Sequence, residues 1–318
     1  MSKYILKRLA MMIPVILGMS FFIFVILEMA PGDPAKIILG DKAPVEAVEA
    51  LREEMGLNDP FMVRYANYIL NALKGDFGSS YRTHLPVFKE IMTRFPTTLK
   101  LAFGSILLTV VIGVPIGVLS AVKQYSAMDN ATMAGALILA SMPGFWLGTM
   151  LVLLFASRLH WLPATGADSW KSFVLPCVAL MASNMATLVR MTRSNMLEVI
   201  RAEYITMARA KGASEKIVIF RHALRNALMP IITIIGMNLS GLLGGTMIIE
   251  SVFALPGLGT LAVTAVRGKD IPMVMAEVIF IALLAGFINL FVDVLYAYID
   301  PRLKSQYVRQ KKIRRAVS

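Results

Sequence analysis

The sequence predicts an all-α polytopic membrane protein with six transmembrane helices, and three observations support this fold class. Hydrophobic residues make up 57% of the chain and charged residues only 16%, whereas an ordinary soluble domain carries about 25% charged residues. Six apolar runs are each long enough to cross a hydrocarbon core of about 30 Å. The basic residues behind the net charge of +12 lie in short segments that flank these runs, as membrane orientation requires. The charge therefore indicates a lipid bilayer as partner, and no nucleic acid.

The first predicted span is the uncharged run from Leu9 to Leu27. It ends in the sequence EMAPGDP at residues 28–34, where two prolines stop the helix. A cleaved signal peptide is the alternative, but its apolar region is usually only about 7–15 residues long and a small-x-small cleavage site follows it. We therefore predict an uncleaved helix, with residues 1–30 as the N-terminus and first span.

Residues 31–96 form a segment of different character, called the insertion below. Acidic and basic residues nearly balance in it, and glycines recur at turn positions. The pattern predicts one short amphipathic helix from Pro44 to Gly56 and a second from Pro60 to Leu73. We expect a small, water-exposed helical insertion between the first two spans.

Five further apolar runs predict the remaining spans, within a core domain of residues 97–299 that precedes a basic tail at 300–318. The runs are 101–122, 131–157, 172–189, 227–249 and 273–292. Prolines inside apolar runs are expected to kink the helices at Pro14, Pro115, Pro143 and Pro176. Small-xxx-small pairs permit close approach of two helices. Such pairs occur at Gly113 and Gly117, Gly144 and Gly148, and Gly241 and Gly245. The alternative is that glycine is simply common in membrane helices.

The distribution of Lys and Arg predicts the orientation. With the N-terminus inside, the inner segments 1–8, 123–130, 190–226 and 300–318 hold 19 basic residues, and the short outer loops 158–171 and 250–272 hold 4. Cytoplasmic loops carry the excess of Lys and Arg. Both termini and the loop at 190–226 are therefore predicted to be cytoplasmic, and the insertion extracytoplasmic.

Sequence signatures of enzymatic chemistry are missing. The phosphate-binding loop Gly-x-x-x-x-Gly-Lys-Ser/Thr does not occur in the sequence. Any ATP that such a loop binds is therefore expected on a partner chain. The single cysteine, Cys177, excludes an intrachain disulfide, and no cysteine or histidine cluster has metal-ligand spacing. We predict no catalytic, cofactor-binding or metal-binding residue in this chain.

Two acids near the ends of the last span, Glu277 and Asp293, are of interest because charges at membrane depth tend to mark transport pathways. Each can instead pair or snorkel at an interface. A stand-alone proton- or sodium-coupled carrier would be expected to place an acid near the middle of a span, and the first five runs contain none.

The stretch from Arg201 to Pro230 is cationic and alternates small with bulky residues, which is typical of a docking surface. Gly212 is expected to end a helix there and Ser214 to cap the next one. Ile217, Phe220, Leu224 and Leu228 recur at helical spacing and predict a face that packs on the bundle. An ordinary interfacial amphipathic helix is the alternative.

A second candidate site is the sequence ESVFALPGLG at residues 250–259. Its Leu-Pro-Gly-Leu-Gly run predicts a turn that folds back at the outer mouth of the bundle, and a plain helix-to-helix turn is the alternative. The residues assigned to this extracytoplasmic gate or re-entrant turn are Glu250, Phe253, Pro256, Gly257 and Gly259.

Eight motifs in order carry a resemblance to a known family. They are APGDP at 30–34, GLNDP at 56–60, GDFGSSY at 75–81, RMTRSNMLEV at 190–199, EYITMARAKGAS at 203–214, RHALRNALMP at 221–230, ESVFALPGLG at 250–259 and DVLYAYIDPR at 293–302. Over nearly its whole length the chain resembles the permease subunits of bacterial ABC importers of the dipeptide, oligopeptide and nickel branch, on the side of the first of the two paired permeases.

The resemblance implies the type I ABC importer permease fold and an ATPase-coupling loop. Of the general loop pattern, which begins with Glu-Ala-Ala and continues to a glycine, this chain keeps only the alanine of the third position, Ala208, and the glycine, Gly212. The coupling residues implied on this chain are Glu203, Tyr204, Met207, Ala208, Ala210, Lys211 and Gly212.

The resemblance also implies the partners: a second homologous permease, two cytoplasmic ABC ATPase subunits that bind ATP and magnesium, and an extracytoplasmic substrate-binding protein. The location it implies is the bacterial cytoplasmic (inner) membrane. The implied cargo is a di- or oligopeptide, which includes glutathione-like peptides, with nickel or a metal chelate as the alternative. A stand-alone secondary carrier or channel is the alternative from another class.

Overall fold

The computed structural model describes residues 2–30, 32–40 and 42–299, so the predicted basic tail at 300–318 lies outside the described residues. Within the described part, regular structure is helical apart from one isolated antiparallel bridge between Ser79 and Pro86. The α-helices are α1 (Ser2–Met29), α2 (Pro34–Leu39), α3 (Val45–Glu54), α4 (Phe61–Leu73), α5 (Val87–Val122), α6 (Ala127–Ser141), α7 (Gly144–Leu151), α8 (Val174–Ile200), α9 (Glu203–Ala210), α10 (Glu215–Ile217), α11 (Leu224–Gly245), α12 (Met247–Val252), α13 (Leu258–Arg267) and α14 (Ile271–Ile299). Two π-helical turns, at Val152–Arg158 and Val218–Ala223, and a 3₁₀ turn at Trp170–Phe173 complete the set.

Five of the described helical segments are long and apolar enough to cross a membrane. They are Ile5–Met29, Val87–Val122, Trp170–Ile200, Glu215–Gly244 and Ile271–Leu295. A helix pair, Ala127–Ser141 with Gly144–Arg158, is bent by 97° and brings the number of spans to six if the pair counts as one broken span. The all-α polytopic class is confirmed, and the run predicted as the third span at 131–157 consists of two helices that meet at a sharp bend.

Pro143 explains the bend in the third span. Proline has no N–H to donate to the preceding turn, and its ring disfavours helical geometry in the residue before it. Met142 accordingly adopts an extended conformation, with φ −82° and ψ 125°. The other three prolines do not interrupt their helices, because α1 and α5 continue through Pro14 and Pro115 and Pro176 lies in the first turn of α8, where proline is tolerated.

Two helices extend well beyond the apolar runs that predicted them. Helix α5 has 36 residues and is about 54 Å long at 1.5 Å per residue, so its first turns, from Val87, include the end of the insertion. Helix α8 continues through Ile200. The loop predicted to begin at residue 190 is therefore helical for its first eleven residues.

The chain divides into two compact units. One unit comprises Met1–Lys100, Thr165–Asp168 and Leu243–Gly286. Its core combines residues of α1, the start of α5, α13 and the start of α14, with Phe24, Val87, Leu258 and Met275 all buried. Helices α3 and α4 begin after Pro44 and Pro60, which confirms the two helices predicted in the insertion.

The described part of the other unit comprises Leu101–Ala164, Ser169–Leu242 and 287–299. Helices α5 and α8 approach each other closely in it. A methyl group added at Gly117 would lie 2.6 Å from Cβ of Thr192, and one added at Gly113 would lie 3.2 Å from Leu188. This small-xxx-small pair therefore marks a close helix contact, whereas a methyl group at Gly241 would have no neighbour within 4 Å.

Candidate functional site

The implied coupling residues lie on α9 and the two residues that follow it, called the coupling segment below (residues 203–212). Helix α9 begins after Ala202, with Glu203 in its first turn, where an acid suits the positive end of the helix dipole. The helix ends at Ala210, and Gly212 has a φ of +83°. Glycine adopts this conformation without steric cost, so the expected helix break at Gly212 is present.

The coupling segment has one buried face and one exposed face. Ile205 is fully buried and Ala208 is half-buried. The exposed residues are Glu203, Tyr204, Thr206, Met207, Arg209, Ala210, Lys211 and Gly212. Tyr204 and Met207 are large apolar side chains with 46% and 60% of their surface exposed, so this face offers contact area to another molecule.

The buried face holds the segment firmly in place. Ile205 packs with Met196, Val218 and Ala223 in a hydrophobic cluster. The Arg209 guanidinium donates to the Glu215 carboxylate at 2.8 Å, and this hydrogen bond raises the pKa of Arg209. The segment is thus a supported turn with an outward-facing surface.

The helical face predicted after Gly212 is wrong for Ile217 and Phe220, whereas Leu224 is half-buried and packs on the hydrophobic cluster that holds Val218. Ile217 and Phe220 are exposed by 46% and 62%, whereas Val218, Ala223 and Ala227 are buried. Phe220 lies inside a π-helical turn at Val218–Ala223, where the α-helical spacing that predicted its burial does not hold. Ser214 occupies the N-cap position, but its side chain makes no capping bond.

An ion pair between a buried acid and a half-buried arginine lies just ahead of the coupling segment. Arg193 on α8 donates from Nε and Nη2 to the two carboxylate oxygens of Asp129, at 2.7 Å each. Ser120 and the backbone N–H of Tyr125 donate to the same carboxylate. This clasp fastens the turn between α5 and α6 to the helix that leads into the coupling segment. Sequence reasoning missed it because its acid and base are 64 residues apart; the only signal is that Arg193 belongs to the RMTRSNMLEV motif.

The second candidate site, called the buried turn below (residues 250–259), runs from the end of α12 into the start of α13. The Glu250 side chain is fully buried. Its Oε1 accepts hydrogen bonds from the hydroxyls of Thr98 at 2.6 Å and Thr246 at 2.9 Å, and its Oε2 accepts from the N–H of Thr260 at 3.0 Å. This carboxyl group therefore joins α5, α12 and α13.

Phe253, Gly257 and Gly259 are the other closely packed residues of the buried turn that the sequence assigned to this site. Phe253 is 1% exposed, and Pro256 precedes Gly257 at the end of the turn. A methyl group at Gly257 would overlap the Glu250 carboxyl group, and one at Gly259 would overlap the backbone of Met247. The turn leads into α13, an apolar helix of ten residues, which at about 15 Å is too short to cross a membrane.

The comparisons with known proteins identify the family. Residues 113–305 match a family model described as "Binding-protein-dependent transport system inner membrane component". The chain belongs to this family. Residues 1–102 match a second model, described as the N-terminal part of such a membrane component. The chain is therefore a permease subunit, a multi-pass membrane protein that works with ATPase and other subunits.

Curated relatives support the same identification over the whole chain. The dipeptide transport system permease protein of Alkalihalophilus pseudofirmus is 39% identical and covers 96% of this chain and 100% of its own length. The glutathione transport system permease protein of Escherichia coli strain K12 is 40% identical and covers 96% and 99%. The resemblance to the peptide branch of ABC importer permeases is confirmed.

A solved structure supports the fold. A chain of the MetNI methionine ABC transporter in an inward-facing conformation matches with a TM-score of 0.57 and 21% identity, over 67% of this chain and 97% of that chain. This likeness confirms the ABC importer permease fold.

Two further residues of the permease, Lys269 and Asp270, hold family motifs in place and were missed by sequence reasoning. The Asp270 carboxylate accepts from the Ser80 hydroxyl and from the N–H of Tyr81, in the motif GDFGSSY. Burial and the nearby Asp270 carboxylate together raise the pKa of Tyr81 to about 12. The Lys269 ammonium donates to the carbonyl oxygens of Ala30 and Gly32, in the motif APGDP.

Glu277 of the permease is 1% exposed, and neither of its carboxylate oxygens has a hydrogen-bond partner among the described residues. Glu250 lies close enough for the two carboxyl groups to interact electrostatically. Because buried polar groups normally have partners, this unpaired acid behind the buried turn stands out as a candidate functional residue.

Proposed function

We propose that this permease forms the translocation pathway for di- or oligopeptides in an ATP-driven importer. The coupling segment carries the ATP-driven part of the proposal, because it is a supported helix with an exposed apolar face. The cargo part is supported by the two relatives, which are named for dipeptide and glutathione transport and match over 96% of the chain.

The proposed assembly contains this permease, a second homologous permease, two cytoplasmic ATPase subunits and an extracytoplasmic substrate-binding protein. ATP and magnesium bind to the ATPase subunits. Their closure pushes on the Tyr204 and Met207 face of the coupling segment. The Arg193–Asp129 clasp then passes this movement to the membrane helices, because a bidentate pair around a buried acid resists separation.

The proposed orientation places both termini and the coupling segment in the cytoplasm of a bacterial cell and the insertion outside its inner membrane. The excess of Lys and Arg in the inner segments supports this orientation. The buried turn then lies on the extracytoplasmic side. We assign Glu250, Phe253, Pro256, Gly257 and Gly259 to the gate on that side, because they pack into one buried unit at the start of a short apolar helix.

Reconstitution of the complete transporter in proteoliposomes tests the function. Uptake of a labelled dipeptide that requires ATP, the ATPase subunits and the binding protein is the expected result. Uptake driven by an ion gradient with no ATPase partner present would contradict the proposal.

Mass spectrometry of the ligand retained by the purified binding protein tests the cargo. A metal chelate in place of a peptide would overturn the cargo part of the proposal.

Substitution at Gly212 tests the coupling segment separately. Gly212→Arg places bulk and charge at the docking end and is expected to abolish peptide uptake while leaving membrane insertion intact. Gly212→Asn is the matched control, because asparagine tolerates a positive φ and a side chain there has open space. Equal uptake by the two variants would show that the ATPase does not dock at this position.

A further inference from the structure

The second helix of the insertion, α4, packs along the first membrane helix. The hydroxyl of Tyr65 donates to the carbonyl oxygen of Leu17 at 3.0 Å and lies 3.0 Å from the hydroxyl of Ser20. The rings of Phe21 and Tyr65 are 5.2 Å apart, and those of Phe24 and Phe61 are 5.0 Å apart. One side of α4 therefore packs on α1, within an insertion that the sequence predicts to be water-exposed.

These contacts give the depth of α4 relative to the membrane. Leu17 lies ten residues before Leu27, the end of the uncharged run of α1, which is about 15 Å along the helix. The Tyr65 side chain thus reaches well inside the apolar run. The hydroxyl of Tyr68, one turn later, donates to the carbonyl oxygen of Pro272 at 3.4 Å, at the start of the last membrane helix. The ring contacts of Phe61 and Tyr65 with Phe21 and Phe24 place the start of α4 beside the last two turns of that run, and the Tyr65 hydroxyl alone reaches its middle.

Helix α4 has a composition that suits this position. Only one of its 13 residues, Arg64, is charged. The Arg64 guanidinium pairs with Glu28, at the end of α1, and lies 5.8 Å from the centre of the Phe24 ring. An arginine that keeps its charge beside an acid while its stem covers apolar surface is typical of a membrane boundary.

The side of α4 that faces away from α1 is apolar. At 100° per residue, the exposed side chains of one continuous face are Met62, Val63, Ala66, Leu70 and Leu73. Leu70 and Leu73 expose 55% and 79% of their surface. Asn67 and Asn71 follow on one flank of that face. The helix therefore presents one face to the protein, one apolar face outward and one polar edge.

Helix α3 of the same insertion provides the contrast. Five of its ten residues are ionisable, and Val45 at its start is 79% exposed. A helix of this composition belongs in water.

We propose that α4 is an interfacial helix that lies in the membrane–water boundary at the C-terminal end of α1, with its Met62, Val63 and Leu70 face in lipid. An amphipathic helix with little charge on its apolar side binds at this boundary through its buried apolar area. The lipid contact anchors the insertion and holds α1 through the Tyr65 and Arg64 contacts. Helix α3 remains in water.

Nitroxide accessibility in the complete transporter, embedded in phospholipid nanodiscs, tests this proposal. The background variant is Cys177→Ser, which removes the native thiol and keeps a donor for the carbonyl oxygen of Leu101. Single cysteines at Leu70→Cys, Asn71→Cys and Val45→Cys carry the label. Power-saturation spectroscopy then compares collisions with lipid-soluble oxygen and with a water-soluble nickel chelate.

At Leu70 oxygen collisions are expected to exceed nickel collisions, whereas the order is expected to reverse at Val45. Asn71 is one residue away on the polar edge, so it is expected to favour the nickel chelate relative to Leu70. Nickel-dominated collisions at Leu70 would show that α4 lies in water. Protection from both reagents at Leu70 would show that another protein covers it. Either result would overturn the proposal.

Discussion

The coupling segment and the buried turn are both short, motif-rich stretches with essential glycines, yet they use those glycines differently. At Gly212 an added methyl group would meet nothing within 4 Å, and only the φ of +83° demands glycine. At Gly257 and Gly259 an added methyl group would overlap Glu250 and Met247. Backbone conformation decides the first case and space decides the second.

The same contrast holds for the side chains. The coupling segment exposes most of its residues and depends on Ile205 as its buried contact, whereas Glu250 and Phe253 of the buried turn are at most 1% exposed. A surface that a partner must reach has few internal contacts to lose. A turn buried between helices has many. Substitutions are therefore expected to affect function in the first region and folding in the second.

The largest effect is expected for Glu250→Ala in the buried turn. It removes the acceptor of the Thr98 and Thr246 hydroxyls and of the Thr260 N–H, and each buried donor left unpaired costs about 1–3 kcal/mol. The loss of stability is expected to exceed about 3 kcal/mol, measured as a fall in the thermal midpoint of the purified complex. Glu250→Gln keeps an acceptor for the two hydroxyls and is expected to lose less; an equal loss would contradict the hydrogen-bond account.

Ile205→Ala is expected to have the next largest effect and is the exception within the coupling segment. Ile205 is fully buried against Met196 and Val218, and truncating a buried isoleucine costs about 2–5 kcal/mol. Proteolysis at residues 203–217 should become faster, because the segment loses its anchor. Unchanged proteolysis would mean that the segment does not depend on this contact.

Gly259→Ala is expected to destabilise the permease by about 1–3 kcal/mol, as over-packing typically does. Gly241→Ala is the matched control, because its methyl group would meet nothing within 4 Å and alanine is the better helix former by about 0.5–1 kcal/mol. The thermal midpoint should fall for the first variant and hold or rise for the second. If the thermal midpoint fell by the same amount in both variants, lack of space could not be the reason why position 259 requires glycine.

The smallest change in stability is expected for Met207→Ser on the exposed face of the coupling segment. A surface substitution typically changes stability by no more than about 0.5 kcal/mol, so the thermal midpoint should stay near that of the wild type. Peptide uptake and the stimulation of ATP hydrolysis should nevertheless fall, because 60% of the Met207 surface is available to a partner. Normal uptake by this variant would exclude Met207 from the docking surface.

Local patterns predicted part of the structure well. The helices after Pro44 and Pro60 begin where proline and the apolar spacing place them, because these signals act within a few residues. The bend at Met142 and Pro143 reaches 97°, although a proline inside an apolar run predicts only a kink. The exposure of Phe220 was not predictable from spacing, since the π-helical turn at Val218–Ala223 breaks the α-helical period on which the prediction rested.

The candidate sites show the same division. The motifs predicted both regions, but Asp129 and Arg193 are 64 residues apart, and Asp270 lies 190 residues from Ser80. No spacing pattern links such pairs, because only the folded chain brings them together. The position of α4 was missed for the same reason, since the bond from Tyr65 to Leu17 crosses from the insertion into the first span.

The sequence by itself determined the class of the protein, the number of apolar runs, its family and the two regions of interest, because composition, helical period and local motifs are properties of neighbouring residues. The tertiary structure decided which face of each region is buried, which glycines are required for space, and which distant acids and bases form pairs. Those properties depend on contacts between helices, and contacts between helices exist only once the chain has folded.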